Sequence, residues 1–91
     1  MSNMVSVEEL IRDLSPLQYQ VIVRLKKQSM EEEEIIKTLK RQFGETWEPP
    51  EDLLRSLETK GFVKMQFREG KRIYSLTEKG QSVPLSLNLY R

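Results

Sequence analysis

Arg55, Ser56 and Thr59 fall at a spacing that lets three hydrogen-bonding side chains share one side of a helix. With Leu53, Leu54 and Leu57 turned inward, a helical wheel of about 100° per residue turns Asp52, Arg55, Ser56 and Thr59 outward. A guanidinium is a fork of donors that matches the paired acceptors on a guanine edge. Hydroxyls bond either a phosphate or a base. Lys60 adds a cation at the end of the same segment. Glu51 and Asp52 have the opposite character, since carboxylates repel phosphates, although one can accept a bond from cytosine N4. Both lie in a first helical turn, where negative charge stabilises the helix itself, and that reading is preferred.

A second set, Lys64, Arg68, Lys71 and Arg72, surrounds the turn signal Glu69-Gly70. Four cations around a tight turn suit a phosphate backbone or a minor groove. Strand edges also carry such residues for solubility and to block edge pairing. The charge distribution favours the first use. Net charge is +1, yet residues 1–61 hold nine basic and twelve acidic side chains, while residues 62–91 hold six basic and two acidic. A polyanion therefore feels the C-terminal third most strongly.

Other chemistry is excluded by what is missing. The 91 residues contain no histidine and no cysteine. That removes the commonest general base, the commonest metal ligand, any disulfide and any thiolate zinc site. Gly44, Gly61, Gly70 and Gly80 are isolated, so no glycine loop cradles a phosphate. The run Glu31 to Glu34 sends consecutive side chains in different directions, so at most two converge on a metal. The chain is read as a non-enzyme with no cofactor and no metal. No apolar run approaches the roughly 20 residues of a membrane span, and Met1 to Met4 lacks signal-peptide character, which makes the cytoplasm the expected location.

The elements that must hold these residues follow from period and punctuation. Val7, Leu10, Ile11 and Leu14 repeat at helical spacing and predict a lead-in helix over residues 1–14. Ser15-Pro16 starts a helix over about 16–28, with serine as N-cap. Arg24, Lys26 and Lys27 are favourable charges at its end, able to reach a phosphate but read as a solvated face. Ser29 to Glu32 fits a capping box that opens the next helix, with Ile35, Ile36, Leu39 and Phe43 as its buried face and Gly44 as its stop. Trp47 in the connector is read as a lid on the core. Pro49-Pro50 opens a third helix over about 50–60, closed by Gly61.

After Gly61 the apolar period drops to two. Val63, Met65 and Phe67 alternate with polar residues, and Arg72 to Leu76 returns, which predicts a hairpin. Tyr74 is read as a packing residue on the return strand. Thr77 and Gly80 bracket at most one helical turn, and residues 81–91 alternate as an extended apolar tail. The fold class expected is α+β, a winged helix-turn-helix of three core helices and a two-stranded wing over residues 15–80.

The residues from Glu33 to Trp47, with the following proline, and the stretch Leu54-Arg55-Ser56-Leu57-Glu58-Thr59-Lys60-Gly61-Phe62-Val63 resemble PadR-type winged-helix regulators. Arg72-Ile73-Tyr74-Ser75-Leu76-Thr77-Glu78-Lys79-Gly80 is similar to the return strand and exit of the wing in PadR- and MarR-type proteins. The match spans about residues 14–80. It departs at Pro49, Pro50, Glu51 and Asp52, where such proteins carry Thr, Tyr and small residues. The resemblance implies a regulator that meets double-stranded DNA with its third helix and wing. A homodimer is expected through Val5 to Leu14 and Val83 to Tyr90, both rich in apolar side chains. The competing expectation is a winged-helix protein–protein interaction module, which the acidic start of the third helix favours.

Overall fold

The computed structural model describes Arg12, residues 14–44 and residues 49–84. Most of the expected lead-in helix, Trp47 and most of the apolar tail lie outside these residues; Leu14, at the end of the expected lead-in, is buried in the core.

Helix α1 (Pro16–Lys27) begins as its sequence requires. Ser15 Oγ accepts from the Gln18 amide at 3.2 Å, and Gln18 Oε1 accepts from the Ser15 amide at 3.0 Å. Two amides that the helix leaves without partners are thereby satisfied. Val21, Ile22 and Leu25 form its buried stripe.

The second helix starts later than the capping-box pattern predicts. Met30 and Glu31 form a short strand, β1, and helix α2 runs Glu32–Phe43 with Glu31 as an N-cap that makes no side-chain bond. The ladder is the reason. Met30 pairs with Tyr74 and Glu31 with Ile73, so the backbone around Ser29 is drawn into the sheet rather than into a helical turn. Glu32, Glu33 and Glu34 still occupy the first turn, where the helix dipole favours them. Phe43, expected on the buried face, is 43% exposed. It is the last residue of α2, and at Gly44 the chain turns away with φ 69°.

Helix α3 (Pro50–Thr59) turns a stripe of leucines into the core. Leu53, Leu54 and Leu57 are fully buried against α1 and α2 residues Ile22, Ile35 and Leu39. Burial of this kind stabilises by about 1.5–3 kcal/mol per leucine. The helix ends in a Schellman motif: the Phe62 amide bonds the Leu57 carbonyl and the Gly61 amide bonds the Glu58 carbonyl. Gly61 takes φ 87°, a conformation that Cβ disfavours, and Phe62 drops into the core.

Strands β2 (Val63–Arg68) and β3 (Lys71–Leu76) pair antiparallel along their whole length, from Val63 with Leu76 to Arg68 with Lys71. The loop is two residues, Glu69 (φ 52°) and Gly70 (φ 78°), both positive as a tight hairpin demands. With β1 the sheet has three strands in the order β1-β3-β2, one more than the hairpin expected from sequence. One turn of helix, α4 (Glu78–Gln81), follows. Val83 is buried, and the Tyr19 hydroxyl donates to the Pro84 carbonyl at 2.9 Å, so the start of the tail lies against α1. The whole is an α+β winged helix-turn-helix in which α2 and α3 form the helix-turn-helix and β2–β3 the wing. No helix among the described residues is long and apolar enough to cross a membrane.

Candidate nucleic-acid interface

The three buried leucines fix how α3 is rotated about its axis. Asp52, Arg55 and Thr59 are therefore exposed and Ser56 half-buried on the opposite side. Together with Lys60 they line one open groove of about 370 Å³. This is the arrangement that the leucine spacing predicts. Position along the axis is held as well. Lys79 Nζ donates to the Lys60 carbonyl at 2.7 Å and lies 4.5 Å from the centre of the Phe62 ring. Thr77 Oγ1 donates to the Gly61 carbonyl and accepts from the Gly80 amide. The exit of the wing is thus bonded to the C-terminal end of α3, and the two parts of the site share one rigid frame.

The wing does not bring its four cations together. Cross-strand partners share a face of a ribbon and successive residues alternate. Lys64, Arg68 and Lys71 fall on the outer face, and Arg72 falls on the inner face opposite Phe67. Two of the four also have partners. Lys71 Nζ lies 3.7 Å from Glu31 Oε2, and Arg72 Nη1 lies 3.3 Å from Glu32 Oε1. Glu31 ends strand β1 and Glu32 opens α2 directly after it, so the hydrogen-bonded ladder that moved the start of α2 also supplies the wing with counter-ions. In α1, Lys26 Nζ donates to the Gln81 carbonyl at 2.7 Å, which turns a candidate phosphate contact into a brace.

Arg72 also connects the wing to α3. A cavity of about 250 Å³ is lined by Arg55, Glu51 and Glu58 of α3, by Glu32, and by Met65, Arg72 and Tyr74 of the sheet. Tyr74 is buried, as expected of a packing residue. Burial raises its hydroxyl pKa above 10.0, the charges of Glu32 and Glu58 push it further up, and Arg72 and Arg55 partly offset them. The phenol is thus held neutral further into the alkaline range than an ordinary tyrosine, in a cavity otherwise lined mostly by charged side chains. The pairs Lys71–Glu31 and Arg72–Glu32 do not engage Arg55, which lines both the α3 groove and this cavity.

Sequence reasoning missed Phe67, which is 64% exposed near the tip of the wing. The alternation Val63, Met65, Phe67 reads as one apolar face, and the face is continuous, but the core beneath it is not. Val63 is buried, Met65 half-buried and Phe67 open. A strand of six residues reaches about 20 Å, further than a single small core extends. The length of the strand was the available signal. Among the described residues no group of three or more His, Cys, Asp or Glu could hold a metal ion.

No protein-family model and no curated protein sequence matches the chain. Solved structures do. The chain is similar to hsRosR-S4 in its complex structure, with a TM-score of 0.72 and 22% identity over 86% of this chain and 70% of that one. It is similar to RosR of H. salinarum in crystals grown from NaBr, with a TM-score of 0.67 and 25% identity over 80% of this chain and 70% of that one. The transcriptional repressor BigR from Xylella fastidiosa gives 0.66 and 24% identity over 85% and 75%. At such identities the likeness speaks for the winged-helix fold, in agreement with the topology above.

Proposed function

We propose that this winged-helix chain is a DNA-binding transcriptional regulator of PadR/MarR-like type. In this reading it meets double-stranded DNA with the outer face of α3 and with the wing. The observation that carries the reading is the groove of Asp52, Arg55, Ser56, Thr59 and Lys60, a polar helix face held in place by buried leucines and by Lys79. Arg55 reads a guanine through two hydrogen bonds, Ser56 and Thr59 bond base or phosphate, and Lys60, Lys64, Arg68, Lys71 and Arg72 contact the backbone. The similarity to a protein described as a transcriptional repressor supports the regulatory role. The protein then works in the cytoplasm as a homodimer on two half-sites, with residues 1–14 and 81–91 flanking the DNA-binding domain of residues 15–80 and the apolar stretches Val5 to Leu14 and Val83 to Tyr90 joining the two copies.

Fluorescence anisotropy with a labelled duplex at about 50 mM and about 200 mM salt tests the reading. Duplex binding that weakens steeply with salt is expected. Arg55→Ala on a selected duplex should cost about 1–3 kcal/mol. Light scattering at tens of micromolar, an order-of-magnitude working concentration, should report twice the monomer mass. One observation favours a second reading, a protein-interaction module: Glu31 and Glu32 occupy two of the wing's cations, and Glu51 and Glu58 flank Arg55. Absence of duplex binding at about 50 mM salt would decide for it.

A further inference from the structure

Tyr74 carries a polar group into the interior and leaves it without a partner. The residue is only 6% exposed. Among the described residues no hydrogen bond reaches its hydroxyl. A buried phenol ordinarily has one. Tyr74 and Met65 form the wing side of the cavity of about 250 Å³ between the sheet and α3. All four charged side chains that act on the hydroxyl, Glu32, Glu58, Arg72 and Arg55, line that same cavity. The unpartnered oxygen therefore faces it.

The opposite wall is one face of α3. Glu51, Arg55 and Glu58 follow one another at intervals of four and three residues, so they stack along one side of the helix. Arg72 and Glu32 answer each other at 3.3 Å. Two carboxylates then stand against one guanidinium, and among the described residues neither Glu51 nor Glu58 is in an ion pair. The field at the phenol has the same sign. After burial itself, Glu32 and Glu58 act on it more strongly than Arg72 and Arg55. A phosphate entering here would meet three carboxylates. A metal ion would lack ligands, since among the described residues no group of three or more His, Cys, Asp or Glu could hold one. What fits is a cation that binds through N–H donors. The volume is below the roughly 300 Å³ at which drug-sized sites begin, so the cation is small.

We propose that this cavity binds a small linear diamine in its doubly protonated form. One ammonium group donates to Glu58 and to the Tyr74 oxygen. The other donates to Glu51, two helical turns away or about 10 Å along the axis. The carbon chain lies against Met65 and the Tyr74 ring. Arg55 lines both this cavity and the α3 groove, so a diamine that takes the two carboxylates turns its guanidinium to the groove. That last step rests on the DNA-binding reading above and adds a regulator to it: the amine sets how far Arg55 is available to a guanine.

The experiment titrates the full chain, without DNA, at about 50 mM salt, where charge pairs are only partly screened. The probes are three five-carbon compounds: cadaverine, pentylammonium and pentanoate. NMR of isotope-labelled tyrosine rings and methionine methyl groups reads Tyr74 and Met65, with Tyr74→Phe identifying the ring signals. Cadaverine is expected to shift both sets and to saturate. Pentylammonium, which reaches one carboxylate, should bind about fivefold more weakly, as should cadaverine to Glu51→Gln or to Glu58→Gln, the upper end for an exposed charged pair. Tyr74→Phe, read at Met65, should also weaken cadaverine while leaving the fold intact. Saturation by pentanoate instead would make the guanidiniums the binding groups and overturn the proposal. Amine shifts that never saturate, or that are the same in Glu51→Gln and Glu58→Gln, would overturn it as well. For the link to DNA, cadaverine should tighten duplex binding by the wild type relative to the double variant Glu51→Gln and Glu58→Gln, which experiences the same screening of phosphates by free amine. An equal response of both proteins overturns that link and leaves the amine site standing. A wild type that binds no duplex at about 50 mM salt removes the DNA-binding reading, while the NMR titration still decides the site.

Discussion

Tyr74 links the chemistry of the site to the stability of the fold. The residue is largely buried, Glu32 and Glu58 act on its hydroxyl, and each of these factors disfavours the phenolate. The unfolded chain ionises its tyrosine near 10.0, and the folded chain does so only at higher pH. The stabilisation is therefore complete below that value and is lost as pH rises through the folded pKa. Thermal melts of wild type and Tyr74→Phe, taken from about pH 8 upward, should run parallel to about pH 10 and then diverge, with the wild type falling faster. The difference between the two proteins isolates the phenol. Parallel curves throughout would mean that the hydroxyl is not held neutral by the fold. The packing role of Tyr74 was legible in the sequence, because an aromatic on a return strand belongs to the inner face. Its electrostatic surroundings were not legible, because Glu32 and Glu58 reach it from two different helices.

At the scale of elements, the legible features were those in which local chemistry and tertiary packing agree. Ser15-Pro16, the leucine stripe of α3, Gly61 and Glu69-Gly70 each specify one local geometry, and the fold uses all four. The start of α2 was not legible, since Ser29 to Glu32 is a sound capping box in isolation. It yields to a ladder with β3, whose partners Ile73 and Tyr74 lie more than forty residues away. The join between α3 and the wing depends on a close approach at Gly80. A Cβ there would run into the Phe62 carbonyl oxygen and crowd Leu76 Cδ2 at 2.9 Å. Phe62 is held by the Schellman motif and by the bond from the Thr77 amide, so the backbone oxygen cannot retreat. Gly80→Ala should therefore destabilise by about 1–3 kcal/mol, the usual cost of forcing atoms into a packed site. Denaturant melts read this directly, and an unchanged midpoint would show that α4 moves freely relative to α3.

At the scale of the whole molecule, the charge asymmetry read from the sequence is redistributed by the fold. Residues 62–91 are basic in sequence, but the end of β1 and the start of α2 bring Glu31 and Glu32 against Lys71 and Arg72. Linear charge counting could not find this, because the two segments lie about forty residues apart and meet only through the three-stranded sheet. The side chains of Lys71 and Arg72 remain 63% and 55% exposed, and exposed pairs of this kind contribute only about 0–1 kcal/mol. Phosphates can compete with partners held so weakly. The double substitution Glu31→Gln and Glu32→Gln should therefore cost little stability and tighten duplex binding. If it frees both cations for phosphates, the slope of log affinity against log salt should steepen by about 0.9 for each additional phosphate neutralised. If affinity rises while the slope is unchanged, the glutamates act only as long-range repulsion. If neither changes, Lys71 and Arg72 do not reach the DNA, and the wing's share of the interface reduces to the outer-face cations Lys64 and Arg68.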